Sequence, residues 1–245
     1  MNAANFTQKL DQAPYKPKGL DNGQIPTIAV ITNGHTQYPG GRNCCALYMD
    51  ELGRPMEDME FENLRSVEQI EKVAAFLRRR KPEVIGVAGS NAGTHRMVAE
   101  LRSLVEDKNI TVAGETEDER FPVEVCYVND EVARLTPNPP SKKPEDLQTY
   151  CEALGRYLQS PLMEYANLKR GLLSVNFHPD QQFLPQDKLY QKLETAIVDM
   201  VNMVGVNIND ALKSPTYVGT LLQYVSGLGP RKASGIFKIV GANVS

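Results

Sequence analysis

Apolar and polar residues change period several times along this chain, and each change marks a new element. IPTIAVI (25 to 31) is rich in β-branched residues and ends at Thr-Asn-Gly, NCCALYMD (43 to 50) makes a second strand, and PMEDMEF (55 to 61) alternates like a half-exposed third. The short Glu51-Leu52-Gly53 connection predicts an antiparallel hairpin. Ser66, followed three residues later by Gln69, forms a capping box, after which Val67, Ile70, Val73, Ala74 and Leu77 recur at helical spacing to about Arg80. Lys81-Pro82 stops that helix, and EVIGVAG (83 to 89) is a continuous apolar run of the kind buried in a central parallel strand. Asn91 is placed to cap a helix over THRMVAELRSLVED, and PVEVCYVND (122 to 130) is another buried strand. A proline-rich connection from Thr136 to Pro144 then leads to a long helix from about Glu145.

Three strands, helix, strand, helix, strand and helix predict a mixed sheet with helices on both faces, the order of an α/β ribonuclease H-like fold. Thioredoxin-like and other α/β folds can be drawn with few changes, so the order leaves them open. After residue 165 the pattern turns helical, and a second, all-α domain begins. Leu189, Leu193, Ile197, Val201 and Val204 form one stripe that Gly205 ends. Ser214-Pro215 has the chemistry of a cap and first helical residue before Val218, Leu221, Leu222 and Val225, a helix that stops at Gly227. Pro230 opens another helix with Ala233, Ile236, Phe237 and Val240 on one face.

The 245 residues are 41% hydrophobic, enough for a sizeable core in two domains, and no run of eighteen apolar residues offers a membrane span. Residues 1 to 24 lack the apolar segment of a signal peptide and are expected as a flexible lead-in. Cys44, Cys45, Cys126 and Cys151 form no CxxC pair, and His35, His95 and His178 show no metal-ligand spacing. Neither a metal site nor a cofactor is therefore expected. Adjacent Cys44 and Cys45 should point to opposite faces of their strand.

Net charge is only −3, but it is unevenly spread: residues 166 to 245 hold eight Lys and Arg against five Asp and Glu, and from Lys213 onward there are four bases and no acid. That asymmetry favours a polyanion near YVSGLGPRKASGIFKIV (224 to 240). Gly227 and Gly229 let the backbone turn sharply around Leu228, which can pin the corner into the core. Their N–H groups and the start of the helix opened by Pro230 can hold a phosphate beside Arg231 and Lys232. Such contacts ignore nucleic-acid sequence and weaken with salt. The plain alternative is a tight helical corner with two exposed basic side chains.

The pattern Val225-x-Gly227-Leu228-Gly229-x-x-x-Ala233-x-x-Ile236 resembles the helix-hairpin-helix motif of non-specific DNA-binding proteins. LGRYLQSPLMEYANL (154 to 168), LLSVNFHPDQ (172 to 181) and VNMVGVNIN (201 to 209) resemble linked blocks of the Tex family in the same order. VNDEVARL (128 to 135) and SGLGPRKA are most similar to its eukaryotic branch of nuclear transcription elongation factors and histone chaperones. The resemblance covers residues 24 to 245. It implies a YqgF-type, ribonuclease H-like domain over 25 to 168 and a helix-hairpin-helix domain over 169 to 245. It also implies a nuclear location, with nucleic acid, the RNA polymerase II elongation complex and histones as partners. The chain is then expected to be a fragment of a protein with an acidic N-terminal region, a helix-turn-helix segment, an S1 domain and tandem SH2 domains. In that family a second hairpin follows the first, and this chain is expected to end at Ser245 before one is completed.

Nucleases of this fold hold two metal ions with several carboxylates. Where an active YqgF or RuvC-like domain has Asp-x-Gly after its first strand, this chain has Thr32-Asn33-Gly34, and the fourth strand ends Gly86-Val87-Ala88-Gly89-Ser90 with no acid. Asp130 and Glu131 follow the last strand, where Asp130 or Asn129 can instead cap a short helix. A non-catalytic scaffold is expected. A metal-dependent ribonuclease H or RuvC-like nuclease, and a platform that docks only proteins, are the alternatives.

Overall fold

The computed structural model describes residues 4–10, 24–32, 44–88, 92–114, 118–135 and 144–241. Asn33-Gly34, Gly89-Ser90, the Asn91 cap and most of the proline-rich connection lie outside the described residues. The chain divides into two compact units, one of Pro14–Gln159 and one of Met1–Ala13 with Ser160–Ser245. Within the segment expected as a flexible lead-in, Ala4–Leu10 form a helix, α1, whose Phe6 and Leu10 are buried.

The Pro14–Gln159 unit is built on strands β1 (Ile28–Thr32), β2 (Cys44–Met49), β3 (Pro55–Phe61) and β4 (Val84–Ala88), with helix α2 (Val67–Arg80) between the last two. Helix α3 (Ala92–Asp107), strands β5 (Thr111–Ala113), β6 (Arg120–Pro122) and β7 (Glu124–Val128), and helix α4 (Pro144–Gln159) complete it. The main sheet has the order β3-β2-β1-β4-β7. β1 runs antiparallel to β2, with Ile28 opposite Met49, and parallel to β4, with Ile28 beside Val84 and Thr32 beside Ala88. β7 continues the parallel part, with Ala88 beside Val128. This is the ribonuclease H-like arrangement that the hydrophobic pattern predicts.

Strand alternation sorts the core into two layers. Ala29, Ile31, Cys44, Ala46, Ile85 and Val87 face Val73, Ala74 and Leu77 of α2 and Val98, Leu101 and Val105 of α3. Ile28, Val30, Cys45, Leu47 and Met49 face Tyr150, Cys151, Ala153 and Leu154 of α4. Cys44 and Cys45 thus sit in opposite layers, as the strand period requires. Helix α4 approaches the sheet closely at Gly155, and its last side chain locks it there: Gln159 Nε2 donates to Pro26 O at 2.8 Å and Asp50 O at 2.7 Å.

Two local readings change. Ser66 Oγ accepts from Gln69 N–H at 3.3 Å, but Gln69 Oε1 accepts from Glu62 N–H and Ser66 N–H turns to Asn63 Oδ1, so only half of the capping box forms. The β5–β6 ladder has no counterpart in the sequence reading, because three-residue strands are too short to show a period.

The other unit adds α5 (Pro161–Leu168), α6 (Gln186–Val204), α7 (Ile208–Lys213) and α8 (Gly229–Gly241), with residues 218–224 in a 3-10 helix. Phe6 of α1 meets the rings of Tyr165 and Phe177 edge-on, at centroid distances of 6.0 and 4.5 Å. Helix α6 ends at Gly205, as expected. Ser214 does not open a helix; it closes α7, and its carbonyl accepts from Gly219 N–H at 3.0 Å. The following segment is 3-10 rather than α, closed at its ends by bonds three residues apart: Thr220 N–H donates to Tyr217 O at 3.1 Å and Val225 N–H to Leu222 O at 3.2 Å.

Candidate nucleic-acid interface

The corner between the 3-10 segment and α8 is made by two glycines in left-handed backbone, Gly227 at φ +84° and Gly229 at φ +62°. A side chain at either position would meet nothing within 4 Å, so backbone conformation, rather than crowding, calls for glycine here. Between them Leu228 packs on a cluster of Ala211, Tyr217, Val218, Leu222 and Ala233. Its N–H donates to Val225 O at 3.0 Å.

Gly227, Arg231 and Lys232 are exposed, and Gly229 is half-buried at the first position of α8. Pro230 lies in the first turn, where its missing N–H costs no helical hydrogen bond. Unpaired N–H groups, the positive end of the helix dipole and two basic side chains therefore share one corner. Lys232 does more than extend into solvent, because its Nζ donates to Gly227 O at 2.9 Å across the corner.

Asn202 of α6 lies in the VNMVGVNIN block, but nothing in the sequence singled it out as a site residue. Its Oδ1 accepts from Ser226 N–H at 2.9 Å and its Nδ2 donates to Tyr224 O at 3.2 Å, tying the end of α6 to the hairpin. A hydrogen bond across 24 residues leaves no local pattern. A second corner of similar design was missed as well. Gly205 also has φ +84°, Val206 packs on the same cluster as Leu228, and the buried Ala211 follows Gly205 at the spacing that separates Ala233 from Gly227. The repeated spacing of glycine and alanine was the available signal. This corner precedes the glycine hairpin, whereas the resemblance placed a second hairpin after it. Its helix continues with Ile208, Asn209 and Asp210 where the other has Pro230, Arg231 and Lys232, so the basic charge belongs to one corner.

In the α/β unit the register places Thr32, Ala88 and Val128 side by side at the C-terminal ends of three parallel strands. None carries a carboxylate. Asp130, just beyond, is 8% exposed; it accepts from Tyr150 OH at 2.9 Å and pairs with Arg134 at 3.2 Å. Burial, reinforced by the negative charge of Asp130, pushes the Tyr150 phenol well above its ordinary range. Asn129 Oδ1 accepts from Glu131 N–H at 2.9 Å, an Asx turn ahead of the short 3-10 helix Ala133–Leu135. Among the described residues, no group of three or more His, Cys, Asp and Glu is arranged to hold a metal ion. His95 Nδ1 lies 2.8 Å from Tyr127 OH, and Arg96 pairs with Glu100 within α3.

A ribonuclease H-like sheet in one unit and a glycine-cornered helical hairpin in the other define a resolvase-related chain with a helix-hairpin-helix region. Residues 22–169 match the YqgF family model described as Holliday-junction resolvase-like of SPT6, and residues 170–245 match a helix-hairpin-helix motif model. The chain belongs to this YqgF-like family of SPT6. It is 43% identical over 249 residues to the transcription elongation factor SPT6 of Gibberella zeae, covering 97% of this chain and 18% of that protein. The namesake protein of Aspergillus fumigatus is 43% identical over 256 residues, with 97% of this chain and 18% of the relative covered. That of Schizosaccharomyces pombe is 38% identical over 241 residues, with coverage of 96% and 17%. The chain thus spans less than a fifth of the length of these relatives. The two family models meet between residues 169 and 170, while packing places α5 with the helical unit that resumes at Ser160.

Proposed function

We propose that this chain is a non-catalytic core of a nuclear transcription elongation factor and histone chaperone. In this reading a degenerate nuclease domain, residues 25 to 168, serves as scaffold and a helix-hairpin-helix domain, residues 169 to 245, holds nucleic-acid phosphates. The observation that carries the proposal is the hairpin, where Gly227 and Gly229 turn an exposed backbone beside Arg231 and Lys232 while Leu228 anchors the corner in the core. Backbone N–H groups and the basic charge of the corner favour phosphate oxygens without consulting base edges, so binding is independent of sequence. The names of the relatives support a place in transcription elongation. In this reading the RNA polymerase II complex and histones are the protein partners.

The scaffold role is supported by Thr32, Ala88 and Val128 at the strand ends, since two-metal phosphodiester cleavage needs carboxylates there. Asp130 is engaged with Tyr150 and Arg134. Fluorescence anisotropy with labelled DNA and RNA at low ionic strength tests the binding role. The double variant Arg231→Glu with Lys232→Glu should lose affinity for every sequence alike, and an unchanged affinity would sink it. Incubation of the same substrates with Mg²⁺ or Mn²⁺ should leave them intact; cleavage that Asp130→Asn abolishes would overturn the scaffold role.

A further inference from the structure

We infer that Lys232 and Asn202 are positioning residues that hold the hairpin backbone in its phosphate-facing form, Lys232 by capping Gly227 O rather than by touching phosphate. The inference rests on the phosphate-binding reading above and refines the part each residue plays in it.

A turn with two left-handed glycines has many competing conformations, because glycine restricts the backbone least of all residues. The native one is held from both sides. On one side the Gly227–Leu228 peptide is pinned at both of its polar atoms: its carbonyl accepts from Lys232 Nζ at 2.9 Å, and its N–H donates to Val225 O at 3.0 Å. On the other, Asn202 accepts from Ser226 N–H at 2.9 Å, donates to Tyr224 O at 3.2 Å, and is itself steadied by donating to Val198 O on its own helix. Among the described residues, the N–H groups of Gly227 and Gly229 donate to none. Every clamp thus falls on a backbone group other than the two amides that phosphate would use.

Lys232 lies one turn into α8, and folding back to Gly227 O commits its ammonium to the protein's own carbonyl. Arg231, next to it, is left as the hairpin's outward-facing base. The two adjacent bases therefore do different work: Arg231 neutralises phosphate and Lys232 shapes the site. A polar side chain on α6 completes the shaping, which makes the hairpin dependent on a helix more than twenty residues away in sequence.

The full chain can be tested with Arg231→Gln, Lys232→Met and Asn202→Ala, using two readouts. The first is the slope of log affinity against log salt for a DNA duplex, whose magnitude falls by about 0.9 for each phosphate that is no longer neutralised. The second is amide exchange at Ser226 and Leu228, measured without nucleic acid. Arg231→Gln should lower the slope by about 0.9 and leave exchange unchanged. Lys232→Met should weaken binding about fivefold at an unchanged slope and speed Leu228 exchange by a similar factor, the effect of one exposed charge-assisted hydrogen bond. Asn202→Ala should speed Ser226 exchange without changing the slope. If Lys232→Met lowers the slope as Arg231→Gln does and leaves Leu228 exchange unaltered, Lys232 is a phosphate ligand and the inference fails. Should the wild-type chain bind no nucleic acid at low salt, the phosphate reading itself fails, while exchange at Ser226 and Leu228 still decides the clamp.

Discussion

Substituting Gly155 by Ala puts one methyl group into a close approach of helix α4 to the sheet of the α/β unit. Its Cβ would lie 2.4 Å from Met49 Sδ and 3.1 Å from Val30 Cγ2. Met49 and Val30 are both fully buried, so the sulfur has to move by about an ångström with no empty space beside it, or α4 has to lift from β1 and β2. Overpacking of a filled core costs roughly 1–3 kcal/mol, and an approach this short belongs at the upper end. Alanine recovers about 1 kcal/mol over glycine inside a helix, so the net loss is about 2 kcal/mol. For a chain of this size that lowers the melting temperature by about 4–8 °C. Amide exchange in β1 and β2, measured beside thermal and urea unfolding, assigns the loss to the α/β unit. Gly235→Ala in α8 is the matched control, because its Cβ would meet nothing within 4 Å and should raise the stability of the helical unit by about 1 kcal/mol. A Gly155→Ala protein that unfolds at the same midpoint as wild type, or later, would refute the argument that α4 is seated by this close approach.

Phe6→Ala removes a ring that is 2% exposed and packed on Tyr165 and Phe177, which should cost the helical unit about 3 kcal/mol by thermal melting; an unchanged melt would mean that α1 is not docked. Burial pushes the thiol of Cys44 up to about 11 and that of Cys126 up to about 12. Native thiols should then react slowly with a disulfide reagent at pH 8 and fully after denaturation. Between pH 9 and 11 the unfolded chain releases the Cys44 proton while the folded chain keeps it, so stability should fall with rising pH. Urea midpoints of wild type and Cys44→Ala across that range check the sign, and the variant should show the shallower fall.

The main sheet was legible because its strands are long enough to show their burial: β4, apolar from Val84 to Ala88, is covered on both faces, and β3 alternates at the edge. Gly205, Gly227 and Gly229 were legible because left-handed backbone selects glycine locally. The same local logic overreached at Ser214-Pro215 and at Gln69. Each residue has the right chemistry for a cap, but the hydrogen bonds go elsewhere: Gly219 N–H to Ser214 O, and Glu62 N–H to Gln69 Oε1. Helix α1 shows only Phe6 and Leu10 as apolar anchors, too few for a period to stand out, and the rings that bury Phe6 belong to Tyr165 and Phe177, far along the chain.

By itself the sequence determined the alternation of strands and helices, the glycine corner with its two bases, and the lack of carboxylates at Thr32 and Ala88. Each of these is written in neighbouring residues, where backbone preference and hydrophobic period act over a few positions. Only the tertiary structure decided that Lys232 turns back onto Gly227, that Asn202 reaches Ser226, that a second corner at Gly205 shares the hairpin's core, and that Asp130 is held by Tyr150. Those pairings depend on which distant segments come within hydrogen-bonding distance, and that is set by how helices pack once the chain has folded.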